Sequence, residues 1–330
     1  TGNDLIDGGD TSTVFSITGL NSGLLTGGRV NGFNTVESLA GGAGTDTFRF
    51  SVAGELAGSV DGQGGADAIE GLDGDVDNVT LTGADAGDAS FATGGFTDVE
   101  SLDLRDGADN VTLNDGSSLT GTLEGGAGSD TLIGPDTPAT FNVTAPDAGN
   151  VTGGATVDDF RSFENLTGGT DDDTFVVDAD LTGALNGGLG DDTLNLAADT
   201  TIGSVTNVEN ITLVVNGTDA DDEIEIEVSG GVLQAVVNGA VSQFFTPVGV
   251  LNISLTVNGF DGVDTLILDY ASGELPNEIT FADRVVTLGA GGGAEANTEQ
   301  VRIIGSGAED LDMADTLDAN GRRVVTLTNG

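Results

Sequence analysis

The chain has no cysteine, histidine, lysine or tryptophan, one methionine, one tyrosine and only five prolines in 330 residues. Without cysteine there are no disulfides, and redox chemistry says nothing about the compartment. Without His, Lys and Cys, most general acid–base groups, activated nucleophiles and zinc ligands are missing as well. The only cations are eight arginines, Arg29, Arg49, Arg105, Arg161, Arg284, Arg302, Arg322 and Arg323, of which only the last two adjoin. A basic cleft for an acidic polysaccharide is therefore not expected, and neither is an enzyme. Against eight cations stand 55 acidic residues, a net charge of −47. Such a charge excludes nucleic acid and anionic membrane surfaces as partners. No apolar run is long enough to span a bilayer, so membrane insertion is not expected, and no leader peptide is visible.

What the chain has in plenty is glycine, 55 residues, with an apolar fraction of 37% that sets it apart from a disordered polyacid. One phrase organises it. Gly41-Gly42-Ala43-Gly44-Thr45-Asp46-Thr47-Phe48-Arg49 returns at Gly125–Ile133 and at Gly187–Asn195, each time fitting G-G-x-G-x-D-x-U-x with U a large apolar residue. Degenerate neighbours lie at Gly62–Asp67, Asp106–Asp109 and Gly168–Asp173. Glycine lets the backbone turn tightly and aim carbonyl oxygens inward. The Asp is a hard oxygen donor, and the apolar residue after it opens a core-facing strand.

Spacing says more than any single copy. Asp46, Asp67, Asp88, Asp109 and Asp130 fall 21 residues apart, as do Leu39, Val60, Leu81, Leu102 and Leu123. Asp4, Asp67, Asp130 and Asp192 keep steps of 63, 63 and 62, and Phe33, Phe96 and Phe160 open related phrases 63 and 64 apart. A fixed long period is the mark of a solenoid. The expected fold is an all-β parallel β-solenoid with coils of about 21 residues and a three-coil super-repeat of about 63. Residues 1–212 form its regular glycine-rich part, in super-repeats of about 1–30 (partial), 31–95, 96–159 and 160–212. From 213 to 330 glycine thins and longer alternating segments such as Ile224-Glu225-Ile226-Glu227-Val228 appear, which read as a continuing solenoid with wider, more irregular coils. Both ends open or close within a repeat, so a segment of a longer array is expected. At one strand spacing per coil, some 16 coils would make a rod of roughly 75 Å.

The nonapeptide resembles the repeat of RTX-type calcium-binding parallel β-rolls. That resemblance implies calcium between stacked loops, held by Asp carboxylates and glycine-loop carbonyls. Carried over to matching positions, it pairs Asp46 with Asp67, Asp109 with Asp130, and Asp172 or Asp173 with Asp192. Loop donors would be Gly42, Gly44, Gly65, Gly126, Gly128, Gly188 and Gly190, with echoes of the motif at Asp222 and Asp264. The pattern departs from RTX rolls, which run nonapeptides back to back, whereas here one motif occurs per coil. The plainer reading is a turn whose Asp bonds backbone amides. Both remain open at this point.

Repeated Asn-x-Thr/Ser triplets, such as Asn78-Val79-Thr80 and Asn110-Val111-Thr112, read mainly as strand starts rather than glycan acceptors. A T-x-T ice-binding ladder fails, since Thr45/Thr47 is followed by Ala66/Ala68. The resulting expectation is a secreted, extracellular or cell-surface calcium-binding structural protein, rod-shaped and stacking end to end into a filament, sheath or matrix fibre. The alternative is a spacer or binding module of a large adhesin, with surface polysaccharide as a possible partner.

Overall fold

In a computed structural model the chain is all β, with no helix among the described residues. Those are 4–27, 31–197, 200–216, 223–229, 232–245, 252–258, 265–269, 278–282, 286–290, 300–303, 311–317 and 323–329. The chain forms two compact units, Thr1–Phe175 with Leu181–Gly190, and Val176–Asp180 with Asp191–Gly330.

The first unit is built from short strands that alternate between two long sheets. Strand Thr47–Phe50 shows why they form: Phe48 and Phe50 are buried while Thr47 and Arg49 face outward, the period of two that a half-buried strand requires. In the second sheet Phe15, Phe48, Ile69, Leu102, Leu123 and Phe160 pair directly, each with the next, in parallel register. In the first, Val79, Val111, Leu132, Leu166 and Leu185 do the same. All of these are at most 1% exposed, so the core is a set of apolar columns running from strand to strand. Phe15 and Phe48 stack with centroids 4.8 Å apart and planes 10° from parallel.

Steps of 21 residues join some neighbours: Leu39 to Val60, Phe48 to Ile69, Leu102 to Leu123 and Val111 to Leu132. Elsewhere the partner is farther along the chain, as from Phe15 to Phe48, Ile69 to Leu102 and Leu123 to Phe160. The extra residues form three-stranded antiparallel meanders. One is Val14–Gly19, Ser22–Thr26 and Phe33–Asn34 in the second sheet. The next, Asn78–Gly83, Ala86–Ala89 and Ala92–Thr97, lies in the first sheet. The third, Ala139–Ala145, Ala148–Gly153 and Thr156–Arg161, returns to the second. Their first turns carry Asn21, Asp85 and Asp147 at φ of 52°, 48° and 53°, a region that Asn and Asp tolerate through local hydrogen bonds. Each of these side chains also accepts an N–H from a later coil: Asn21 from Ala57, Asp85 from Thr120, Asp147 from Thr182.

The meanders explain the periodic phenylalanines. Phe33, Phe96 and Phe160 stand opposite Gly23, Gly87 and Gly149, and the rings of Phe33 and Phe96 lie over the bare backbone of their glycines. They also interrupt the comb of aspartates. Asp88, expected in line with Asp67 and Asp109, lies in the antiparallel strand Ala86–Ala89 opposite Thr80, with its side chain exposed. Leu81 likewise pairs with Gly87 and Leu113 rather than joining one row with Val60 and Leu102.

In the second unit, Thr193–Leu196, Asn210–Asn216, Asn252–Asn258, Glu278–Ala282 and Gln300–Ile303 pair in parallel in that order. A seven-stranded sheet accompanies them, and it mixes parallel pairs with antiparallel hairpins such as Glu223–Ser229 with Val232–Val237. Ile224 and Ile226 are fully buried, the apolar side of the alternating segment. The change of texture at 213 falls inside this unit.

Truncating a core column should be costly where truncating the rim is not. Phe48→Ala removes a fully buried ring from a stacked pair and should destabilise by about 3–5 kcal/mol. Leu24→Ala, at a side chain 56% exposed, should fall within about 0.5 kcal/mol. Urea unfolding followed by circular dichroism checks both, and equal effects would contradict the column description.

Candidate cation sites in the aspartate columns

The Asp of each glycine-rich turn faces inward. Asp46, Asp67, Asp109, Asp130, Asp173 and Asp192 are at most 1% exposed. Each sits just before a strand, and the carboxylates of Asp46, Asp67, Asp109, Asp130 and Asp173 reach along the stacking direction to the main chain of a neighbouring coil. In the first column Thr13 N–H donates to Asp46 Oδ1 (2.5 Å), Asp46 N–H to Asp67 Oδ1 (2.7 Å) and Asp67 N–H to Glu100 Oε2 (2.6 Å). In the second, Asp77 N–H donates to Asp109 Oδ1, Asp109 N–H to Asp130 Oδ1 and Asp130 N–H to Glu164 Oε2, all at 2.7 Å. A third begins with Ala139 N–H on Asp173 Oδ1 (2.8 Å). In the second unit Asp192 N–H donates to Glu209 Oε2 at 2.9 Å. The first column feeds strands of the second sheet, the second column strands of the first sheet, and Asp173 a strand of the second sheet again.

The columns decide which predicted ligands come together. Asp46 with Asp67 and Asp109 with Asp130 are neighbouring rungs. Between Asp172 and Asp173, the inward residue is Asp173; Asp172 is exposed. Asp222 and Asp264 lie outside the described residues. Two kinds of column residue lie outside the motif. The glutamate of the repeated Val/Phe-Glu-Ser/Asn phrase (Glu100, Glu164, Glu209) closes a column, and Asp77 opens one. The phrase was visible in the sequence without a role, whereas Asp77 follows a loop without the glycine pair.

The glycines have two tasks. At the second motif position the backbone takes a left-handed conformation, φ 122° at Gly42 and 99° at Gly126, and a neighbouring coil presses on it. A methyl group there would collide with Gly9 O or Arg105 O. Gly188 keeps the same conformation, and Gly65, Gly128 and Gly190 take large positive φ at the fourth position. Gly44 lies against Ser12 N of a neighbouring coil. At the first motif position glycine makes room for the carboxylate itself. A methyl at Gly41 would lie 2.6 Å from Asp46 Oδ2 and 2.7 Å from Gly62 O. At Gly62 it would meet Asp67 Oδ2 and Asp98 O, and at Gly125, Asp130 Oδ2 and Ser162 O. Each cradle thus gathers a carboxylate oxygen and a carbonyl oxygen of another coil.

That carboxylate oxygen has no partner. Asp46, Asp67, Asp109 and Asp130 all leave Oδ2 buried without a hydrogen bond. The arginines do not reach them: among the described residues Arg49 and Arg105 pair with Glu70 and Arg161 with Asp159, on the outer face. Burial accordingly pushes the carboxyls above their ordinary 3.8, Asp67 and Asp109 to about 6, and Asp46, Asp130 and Asp173 upward too. Accepted backbone N–H bonds pull the other way, and neighbouring carboxylates add to the rise, Asp46 and Glu100 on Asp67 and Asp130 on Asp109.

The triplet asparagines are engaged with their neighbours. Asn110 donates to Asn78, Asn142 to Asn150, and Asn165 to Ser129 Oγ and Asp130 O. No family model matches the chain, and no curated protein or solved structure matches it either.

A carboxyl whose pKa is raised on folding favours the compact state while protonated, and that contribution is lost as pH climbs through the folded value. Metal-free protein should therefore melt at higher temperature near pH 4.5 than at pH 7.5, with the loss setting in above the ordinary carboxyl value of 3.8 and complete just above 6, the folded value of Asp67 and Asp109. Asp67→Asn should flatten that profile, and Asp88→Asn should leave it unchanged. Thermal melts by circular dichroism in a chelator-treated buffer series decide it; a melting temperature that rises with pH would overturn the assignment.

Proposed function

We propose that the protein is a secreted, calcium-binding structural repeat protein whose buried aspartate columns are neutralised by calcium. The observation that carries this reading is the set of buried, partnerless Oδ2 atoms on stacked rungs, those of Asp46, Asp67 and Asp130 each beside a carbonyl oxygen over a bare glycine. Hard carboxylate and carbonyl oxygens suit calcium, which accepts six to eight such donors in flexible geometry. Among the described residues no three acidic side chains gather at one point able to hold an ion. An ion would therefore take its carboxylates two at a time, Asp46 with Asp67 and Asp109 with Asp130, and complete its shell with turn carbonyls and water. Bound calcium supplies positive charge that offsets like-charge repulsion along a column. The chain's own residues do the rest, with Oδ1 fixed on a backbone amide and Oδ2 held in place by the glycine beneath it.

On this reading the basic winding is the 21-residue coil, and the 63-residue block is one meander plus one column. Successive blocks deliver their columns to alternate sheets, so cations would brace both sides. The work is mechanical: a calcium-stiffened element of an extracellular filament, sheath or matrix fibre at the cell surface, associating end to end. The alternative is a spacer or binding module of a large adhesin, and surface polysaccharide would then be met by another part of that protein.

Adding calcium to the metal-stripped chain should sharpen the β-sheet circular dichroism spectrum and raise the melting temperature at pH 7.5 by at least several degrees. The gain should shrink in Asp67→Asn. Light scattering in the same titration separates a self-assembling fibre, whose signal grows with calcium, from a spacer that stays monomeric. No spectral or thermal response to millimolar calcium would sink the calcium reading.

A further inference from the structure

The second column is longer than the first by one carboxylate. At the position where the first column begins with Thr13 and the third with Ala139, the second begins with Asp77. Its loop, Leu72-Asp73-Gly74-Asp75-Val76-Asp77, has neither the glycine pair nor the spacing of the nonapeptide. It nonetheless stacks on the turn before Asp109, with Gly74 N–H donating to Asp106 O at 2.7 Å. Asp77 is fully buried. Its Oδ2 accepts Leu72 N–H at 2.9 Å, folding the carboxylate back inside its own loop, and Oδ1 is buried there without a partner. On the adjacent rung, Asp109 spends Oδ1 on Asp77 N–H at 2.7 Å and leaves Oδ2 buried and partnerless. The carbonyl of Asp75 comes over the same bare Cα, that of Gly107, as Asp109 Oδ1, so the Asp109 carboxylate and this carbonyl share one corner.

We infer that Asp77 and Asp109, with the Asp75 carbonyl, form an additional site for a hard divalent cation such as calcium, outside the repeat motif and present in the second column alone. This rests on the calcium reading above and extends it to a rung that the motif does not mark. Two carboxyl groups are buried on consecutive rungs, each with one oxygen satisfied and one not. No arginine among the described residues pairs with either. Burial without a counter-charge is unfavourable. The two column starts that lack a carboxylate, Thr13 and Ala139, have no such demand.

Those same starts supply the test, because they show that the position accepts Thr or Ala. Equilibrium dialysis of the metal-stripped full chain against calcium should find one ion fewer per chain in Asp77→Thr than in the parent. Asp77→Asn, which keeps an acceptor for Leu72 N–H, should lose the same ion and guards against misfolding of the first variant. If the parent binds calcium and both variants bind the same number as tightly, the Asp77 site is wrong and the motif sites stand. If the parent binds none, the calcium reading fails and this site with it.

Discussion

A carboxylate that accepts the main-chain N–H of the neighbouring winding is the contact on which the first unit depends. At the corner of each coil the backbone leaves the ladder of one sheet before joining the next, and an amide there would otherwise be buried without an acceptor. Asp46, Asp109 and Asp173 supply that acceptor to Thr13, Asp77 and Ala139. Aspartate suits the place because its short side chain stays inside the turn. Its carboxylate then lies over the Cα five residues earlier, which is why glycine stands at Gly41, Gly62 and Gly125. The motif's glycines and its acid are therefore parts of one device. The last rung, with no further aspartate to call on, uses the longer reach of Glu100 or Glu164.

That device explains what was legible in the sequence. The pairing of Asp46 with Asp67 and of Asp109 with Asp130 follows from motif and spacing together, because one 21-residue winding returns each turn onto the previous one. The all-β, largely parallel character follows from the same spacing. The meanders were not legible. Their strands have the same alternation and the same turn residues as the coils, and three steps of 21 match one block of 63, so Asp88 kept time with the comb while sitting on an exposed antiparallel strand. Asp77 was missed for the opposite reason. Its role comes from stacking on Asp109, a contact across the winding that no local pattern records. Likewise nothing about Phe33, Phe96 or Phe160 says that each residue lies opposite a glycine, since the pairing depends on where the hairpin turns.

The columns also set the protein's electrostatic problem. Rungs joined through a hydrogen bond bring like charges close in a region shielded from water, where their repulsion is least screened. An arginine beside each pair would offset it, and the chain does use arginine in that way on the outer face, where Arg49 and Arg105 converge on Glu70. At the columns no arginine among the described residues does so. The space above each first-position glycine is lined by oxygen atoms and is too small for a guanidinium without displacing the neighbouring carbonyl. Protons or small cations from solution are then the species that fit, and they compete for the same Oδ2 atoms. Near pH 7 the proton is a poor competitor for Asp67 and Asp109, whose carboxyls titrate near 6. A fold arranged in this way gains most where a divalent cation is abundant, and this is the physical argument that ties the proposed calcium sites to the proposed extracellular setting.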